Sequence, residues 1–204
     1  LLDSGLPLPN LLIAATAATV TRWRRSRNQA TPPPLLALET HGRADGLVDA
    51  PGAHTIDTGD TVGLLSSIYP IRVKSADPRA VGEQLAAIPG DGLDYGLLRY
   101  LRADTAERLA PLPRPQLLLN YLGAAHSGGG TGLTLERELL AGVSPQPEPD
   151  LAVRHELTIV AAMLTFDGQR VLAAQWRTLP DILGDGDVAE LQRLWIESLR
   201  EMVT

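Results

Sequence analysis

The chain has no cysteine. That excludes disulfides, thiolate metal sites and a cysteine nucleophile, and it fits a cytoplasmic protein. Its histidines are His41, His54, His126 and His155, none adjacent to another. Apart from Glu39 and His41 the acids and histidines form no compact cluster, and two ligands do not make a site, so no metal is expected. Long apolar runs are missing as well. The longest, Leu11 to Val20, is Ala/Thr-rich and about half of a membrane span. The positive charges follow it instead of preceding it, the reverse of a signal peptide, so no membrane partner is expected. Nor is there a basic run. Arg22, Arg24, Arg25 and Arg27 form a short cluster suited to a helix C-terminus, and the net charge is -6, so nucleic acid is not expected. A phosphate-cradling loop is also lacking, because Ser127 to Gly132 has no following lysine and helix.

What remains is a 204-residue chain, enough for one large domain or two small ones. At this size roughly 70% of the unfolded surface can be hidden. It starts at Leu1 without a methionine and reads as a piece of something longer. Asn10 is the expected N-cap of a helix over Leu11 to Trp23. Leu35 to Thr40 reads as a buried strand, and Thr61 to Val73 as a long strand bent at Tyr69-Pro70. Pro78 opens a short helix, Pro89 to Gly92 is a turn, and Tyr95 to Leu101 is helical. Gln116 to Tyr121 is a short strand ending at Gly123, and Leu133 to Val143 a further strand between Gly- and Pro-rich loops. His155 to Phe166 and Arg170 to Thr178 form a hairpin around Asp167-Gly168. Asp187 to Val203 is an amphipathic helix. Interleaved elements of this kind predict an α/β two-layer sandwich with a mixed β-sheet.

The stretch Glu39-Thr40-His41-Gly42-Arg43-Ala44 runs from a strand into a loop. Side chains two apart on a strand share a face, which would group Glu39, His41 and Arg43. Further along stand Thr61-Val62-Gly63-Leu64-Leu65-Ser66 with Tyr69-Pro70, then Pro89-Gly90-Asp91-Gly92-Leu93-Asp94-Tyr95-Gly96, then Leu119-Asn120-Tyr121-Leu122-Gly123. In this order the four segments resemble epimerization domains of nonribosomal peptide synthetases, in the condensation-domain superfamily. The family patterns are Glu-Gly-His-Gly-Arg-Glu, Thr-Val-Gly-Trp-Phe-Thr with Tyr-Pro, Pro-x-x-Gly-x-Gly-Tyr-Gly, and Phe-Asn-Tyr-Leu-Gly. The chain departs from them at Thr40, Ala44, Leu64, Leu65 and Asp94. It also lacks the family's His-His-x-x-x-Asp-Gly segment, which lies in the N-terminal half of such domains.

The resemblance therefore implies that residues 1–204 are the C-terminal lobe alone, a chloramphenicol-acetyltransferase-like unit. Its partners would be the N-terminal lobe and a peptidyl carrier protein. No cofactor is bound directly: the substrate, an aminoacyl or peptidyl thioester, arrives on the carrier's phosphopantetheine arm. The implied reaction inverts the α-carbon from L to D, which needs a base, an acid and stabilisation of an enolate-like intermediate. Glu39 matches the family's glutamate and is the expected proton-transfer group. His41 is an orienter or a structural hydrogen-bond partner. Arg43 either holds Glu39 ionised or orders the loop. Tyr121 is either a donor to the enolate oxygen or a core tyrosine, and Asn120 helps position the thioester. Two other readings stand beside this one: a peptide-bond-forming condensation domain, and a non-catalytic carrier-docking module of the same fold. Alone, the lobe should be inactive, and an uncovered apolar face should favour self-association.

Overall fold

The computed structural model describes residues 5–29, 32–43, 45, 57–126, 152–166, 169–179 and 181–203. The expected strand at Leu133 to Val143, the loops at Ser127 to Gly132 and Pro145 to Pro149, the Asp167-Gly168 turn and His54 lie outside them. The strands β1 (Leu35–Thr40), β2 (Ser67–Arg72), β3 (Leu117–His126), β4 (Leu157–Phe166) and β5 (Gln169–Thr178) form one sheet, in the order β2-β1-β3-β4-β5. Pairing is antiparallel at both ends of this order and parallel for β1-β3 and β3-β4, the mixed sheet expected. The helices are α1 (Leu8–Ser26), α2 (Pro78–Ala86), α3 (Leu93–Tyr100), α4 (Ala103–Leu109) and α5 (Asp185–Glu201), with a 3-10 turn at Pro89–Gly92.

One row of side chains from each inner strand builds the core. Leu36 and Leu38, Leu117 and Leu119, and Leu157, Ile159 and Ala161 alternate onto the same face. Against them lie Leu11, Leu12 and Ala15 of α1 and Leu191, Trp195 and Leu199 of α5, the last three spaced as one helical stripe. Of the buried polar residues, Thr16 and Thr19 on α1 have their hydroxyl protons paired. The Thr16 and Thr19 hydroxyls donate to the Leu12 and Ala15 carbonyls, both at 2.7 Å. The Trp195 indole N–H donates to Thr16 Oγ1 at 3.1 Å, and Trp176 meets Trp195 edge-on at 5.9 Å. At the surface, Arg27 pairs with Asp187 at 2.5 Å and Arg22 with Glu201, tying α1 to α5. Half the expected arginine cluster is therefore an inter-helix tie. Arg24 and Arg25 stay in the last turn of α1, where their charge suits the helix end.

Several boundaries differ from the sequence expectation. α1 starts at Leu8, not after Asn10, because Pro7 and Pro9 suit a first turn that needs no backbone donors. β2 is only Ser67–Arg72. The preceding apolar residues have no strand partner, and Val62 and Leu64 are 101% and 89% exposed. Pro70 is tolerated inside β2 because β2 is an edge strand among the described residues. β3 continues past Gly123 to His126 through a register shift between Tyr121 and Ala124. The short helix α4 carries no buried residue, so it has no apolar stripe to read from sequence. β4 and β5 pair to Phe166 and Gln169, as a two-residue Asp-Gly connection requires. No described helix is long and apolar enough to cross a membrane.

Replacing Thr16 with Val keeps the shape of the core but strands the Trp195 indole N–H. We expect a loss of about 1–3 kcal/mol in urea unfolding, the cost of an unpaired buried donor. An unchanged midpoint would contradict this role for Thr16.

Candidate active site

The carboxyl end of β1 gathers the four sequence segments. Its parallel register with β3 sets Glu39 beside Asn120. Asn120 Nδ2 donates to Glu39 Oε2 at 2.8 Å, and both side chains are half-buried. An ionised carboxylate only accepts, so it selects the amide nitrogen of Asn120 as its neighbour. Glu39 and Asn120 alternate with the core row, so they lie on the sheet face away from α1 and α5.

Beyond Thr40 the strand period ends, and the grouping of Glu39, His41 and Arg43 on one face is not found. Gly42 sits at φ +64, and a Cβ there would lie 1.8 Å from the Leu65 carbonyl oxygen, so only glycine fits the turn. His41 is exposed and bends back onto its own turn, where Nδ1 accepts from the Arg43 backbone N–H at 2.9 Å. The Arg43 guanidinium donates to the carbonyls of Thr58 and of Thr61, the latter at 2.9 Å, instead of reaching Glu39. It orders the loop.

Asp45 completes this clasp. It accepts from the Thr58 backbone N–H and hydroxyl, each at 2.9 Å, and these bonds hold its carboxyl below the usual carboxylate range. Asp45 and Thr58 escape sequence reasoning because they are joined across a loop with no periodicity.

Tyr121 follows Asn120 on the strand and so points the other way. It packs against the core cluster. Burial raises the pKa of its phenol, with Arg170 opposing, so the hydroxyl stays neutral. The structure thus brings Asn120 to Glu39 and turns Tyr121 to the opposite face.

The remaining segments meet at Tyr69. This residue pairs across from Leu38 on the helix-side face and is 6% exposed. Its ring occupies the space a side chain at Gly92 would need, with a Cβ there only 2.0 Å from it. Burial, then the Asp91 carboxylate, raise the Tyr69 pKa. Beside it opens a cleft of about 300 Å³ lined by Thr40, His41, Tyr69, Leu85, Asp91 and Leu93. Segment one therefore touches segment two at Gly42 and segment four at Asn120, and segment two touches segment three at Tyr69. Among the described residues no group of three or more His, Asp or Glu side chains could hold a metal ion.

No model of a known protein family matches the chain. Among curated proteins it is 28% identical to one component of the linear gramicidin synthase of Brevibacillus parabrevis, over 95% of this chain and 4% of that protein. It is 30% identical to another component of the same synthase, over 97% of the chain and 2% of that protein. To chondramide synthase of Chondromyces crocatus it is 37% identical over 58% of the chain and 3% of that protein. The chain thus spans only a few hundredths of the length of these relatives.

Among solved structures it superposes on the epimerization domain from the third module of tyrocidine synthetase B, with TM-score 0.72 and 23% identity. The match covers 97% of this chain and 42% of that one. The first condensation domain of the CDA synthetase matches with TM-score 0.54 and 16% identity, over 98% of this chain and 40% of that one. The fold is that of these domains.

Two glycines separate backbone strain from packing. Gly92 and Gly123 both sit at φ +85, but a Cβ at Gly123 meets nothing within 4 Å. Gly123→Ala should cost about 1 kcal/mol, from the backbone alone. Gly92→Ala should cost about 2 kcal/mol more, because the Tyr69 ring must move. Equal losses in urea unfolding would contradict the Gly92–Tyr69 contact.

Proposed function

We infer that this chain, a fragment of a condensation-superfamily domain of a nonribosomal peptide synthetase, is the C-terminal lobe of an epimerization domain. The observation that carries this reading is the Asn120–Glu39 hydrogen bond, which joins the first and fourth segments on the sheet face away from the helices. The reaction would invert the α-carbon of an aminoacyl or peptidyl thioester held on a carrier's phosphopantetheine arm.

In this reading Glu39, as a carboxylate, removes the α-proton. The C–H bond breaks, its electron pair passes into the enolate of the thioester, and the proton rests on the carboxyl group. Asn120 occupies Oε2 and so leaves Oε1 to face the substrate. Returning a proton on the opposite side of the planar intermediate completes the inversion. The resemblance gives that step to a histidine of the N-terminal lobe. Tyr121 faces the helices and serves packing, while His41, Arg43, Asp45 and Thr58 hold the turn that fixes the end of β1. With one wall of the site on another lobe, the 204 residues alone would be inactive.

The test uses the synthetase domain that contains this lobe, with the carrier loaded. Glu39→Gln keeps a hydrogen-bonding partner for Asn120 but removes the base. L-to-D exchange should fall by about 10²–10⁴-fold, with the carrier still bound. Exchange at the unaltered rate would overturn the assignment. A lengthened peptide in place of an inverted α-carbon would make the domain a condensation domain. Carrier binding without any α-proton exchange would make it a docking module.

A further inference from the structure

Building on the epimerase reading above, we propose that the sheet face bearing Glu39 selects a carrier-bound residue with an uncharged, apolar side chain, and that Ile68 is its specificity-determining contact. Glu39 stands directly across from Ile68 on β2 and from Asn120 on β3. The β3–β4 register sets Val160 beyond Asn120. Partners across a sheet point to the same face, so Ile68, Glu39, Asn120 and Val160 form one row. Ile68 is 37% exposed between the buried Ser67 and Tyr69, as alternation requires. The adjoining row, at Ala37 and Leu118, is apolar as well.

Charges other than Glu39 stand far off. Among the described strand residues on this face the others are Arg72 and Arg177. Arg72 pairs with Leu35, four residues from Glu39 and so about 13 Å along the strand, and it donates to the Pro33 carbonyl at 2.8 Å. Arg177 lies on β5, three strands from β1 and so about 14 Å away. Arg43 lies on the Thr58 and Thr61 carbonyls. To lose its proton, the α-carbon must come within about 3 Å of Glu39 Oε1. Directly opposed residues have Cβ atoms about 5 Å apart, which brings the side chain on that carbon into reach of Ile68. An apolar side chain there covers apolar surface. A carboxylate meets the like charge of Glu39, and an ammonium pairs with Glu39 and weakens it as a base.

The test follows solvent deuterium at the α-carbon in single turnovers of the intact domain, its carrier loaded in turn with alanine, leucine, aspartate, norleucine and lysine. The leucyl carrier should exchange about thirtyfold faster than the near-isosteric aspartyl carrier, and the norleucyl carrier faster than the lysyl carrier by a similar factor. Ile68→Ala should cut the leucyl-to-alanyl rate ratio about tenfold, and Ile68→Leu should restore it. Equal rates across the panel would overturn the proposal. So would an unchanged leucyl-to-alanyl ratio in Ile68→Ala, which would make Ile68 a contact to the partner lobe. If exchange is lost in Glu39→Gln but the panel is flat, the epimerase reading stands and the substrate class falls. If the preference and its dependence on Ile68 hold while Glu39→Gln exchanges at the unaltered rate, the substrate class stands and the base assignment falls. Exchange with none of the five residues would overturn both.

Discussion

The two-sided pairing of β1 is the constraint on which the site depends. Six residues, Leu35 to Thr40, pair with β2 on one side, and four of them, Leu36 to Glu39, pair with β3 on the other. The β2 register places Leu38 opposite Tyr69, and the β3 register places Glu39 beside Asn120. Side chains alternate, so a slip of one residue would turn Leu36 and Leu38 outward and drive the Glu39 carboxylate into the apolar layer against α1 and α5. Burying an unpaired carboxylate is prohibitively costly. The hydrophobic row thus fixes the register, and the register fixes where the acid stands.

That arrangement divides labour between the faces of the sheet. The helix-side face is packed, with Tyr69 and Tyr121 among its members and Trp195 tied to Thr16. The other face carries Glu39 and Asn120 at the end of a strand bordered by a glycine turn and an Asp45–Thr58 clasp. The Leu65 backbone against Gly42 keeps the turn from drifting, which matters for a group that must meet a substrate held elsewhere. Proton transfer tolerates little displacement of donor from acceptor.

Much of this was legible in the sequence, and the rest has physical reasons for being hidden. β1 was bounded correctly because a leucine-rich run ends in Glu-Thr and then meets His-Gly. α5 was legible because Leu191, Trp195 and Leu199 repeat at helical spacing. The strand expected at Thr61 to Ser66 failed, since composition cannot tell an apolar strand from apolar residues left without a partner. Asn120 was expected only to help position the thioester and not to bond Glu39, because a parallel register between strands about eighty residues apart leaves no periodic trace. The opposite orientation of Tyr121 follows from alternation once Asn120 is placed, yet family-like adjacency in the sequence suggested one shared centre. Arg43 was left between two roles, and its guanidinium lies on the carbonyls of Thr58 and Thr61.

The central claim is that the reacting face is the one bearing Glu39, not the one bearing Tyr121. Incorporation of solvent deuterium at the α-carbon of the carrier-bound residue tests it directly, with Glu39→Gln and Tyr121→Phe compared in the intact domain. The account predicts that incorporation is lost in the first variant and stays within a few-fold of the parent in the second. Loss in Tyr121→Phe with retention in Glu39→Gln would contradict it.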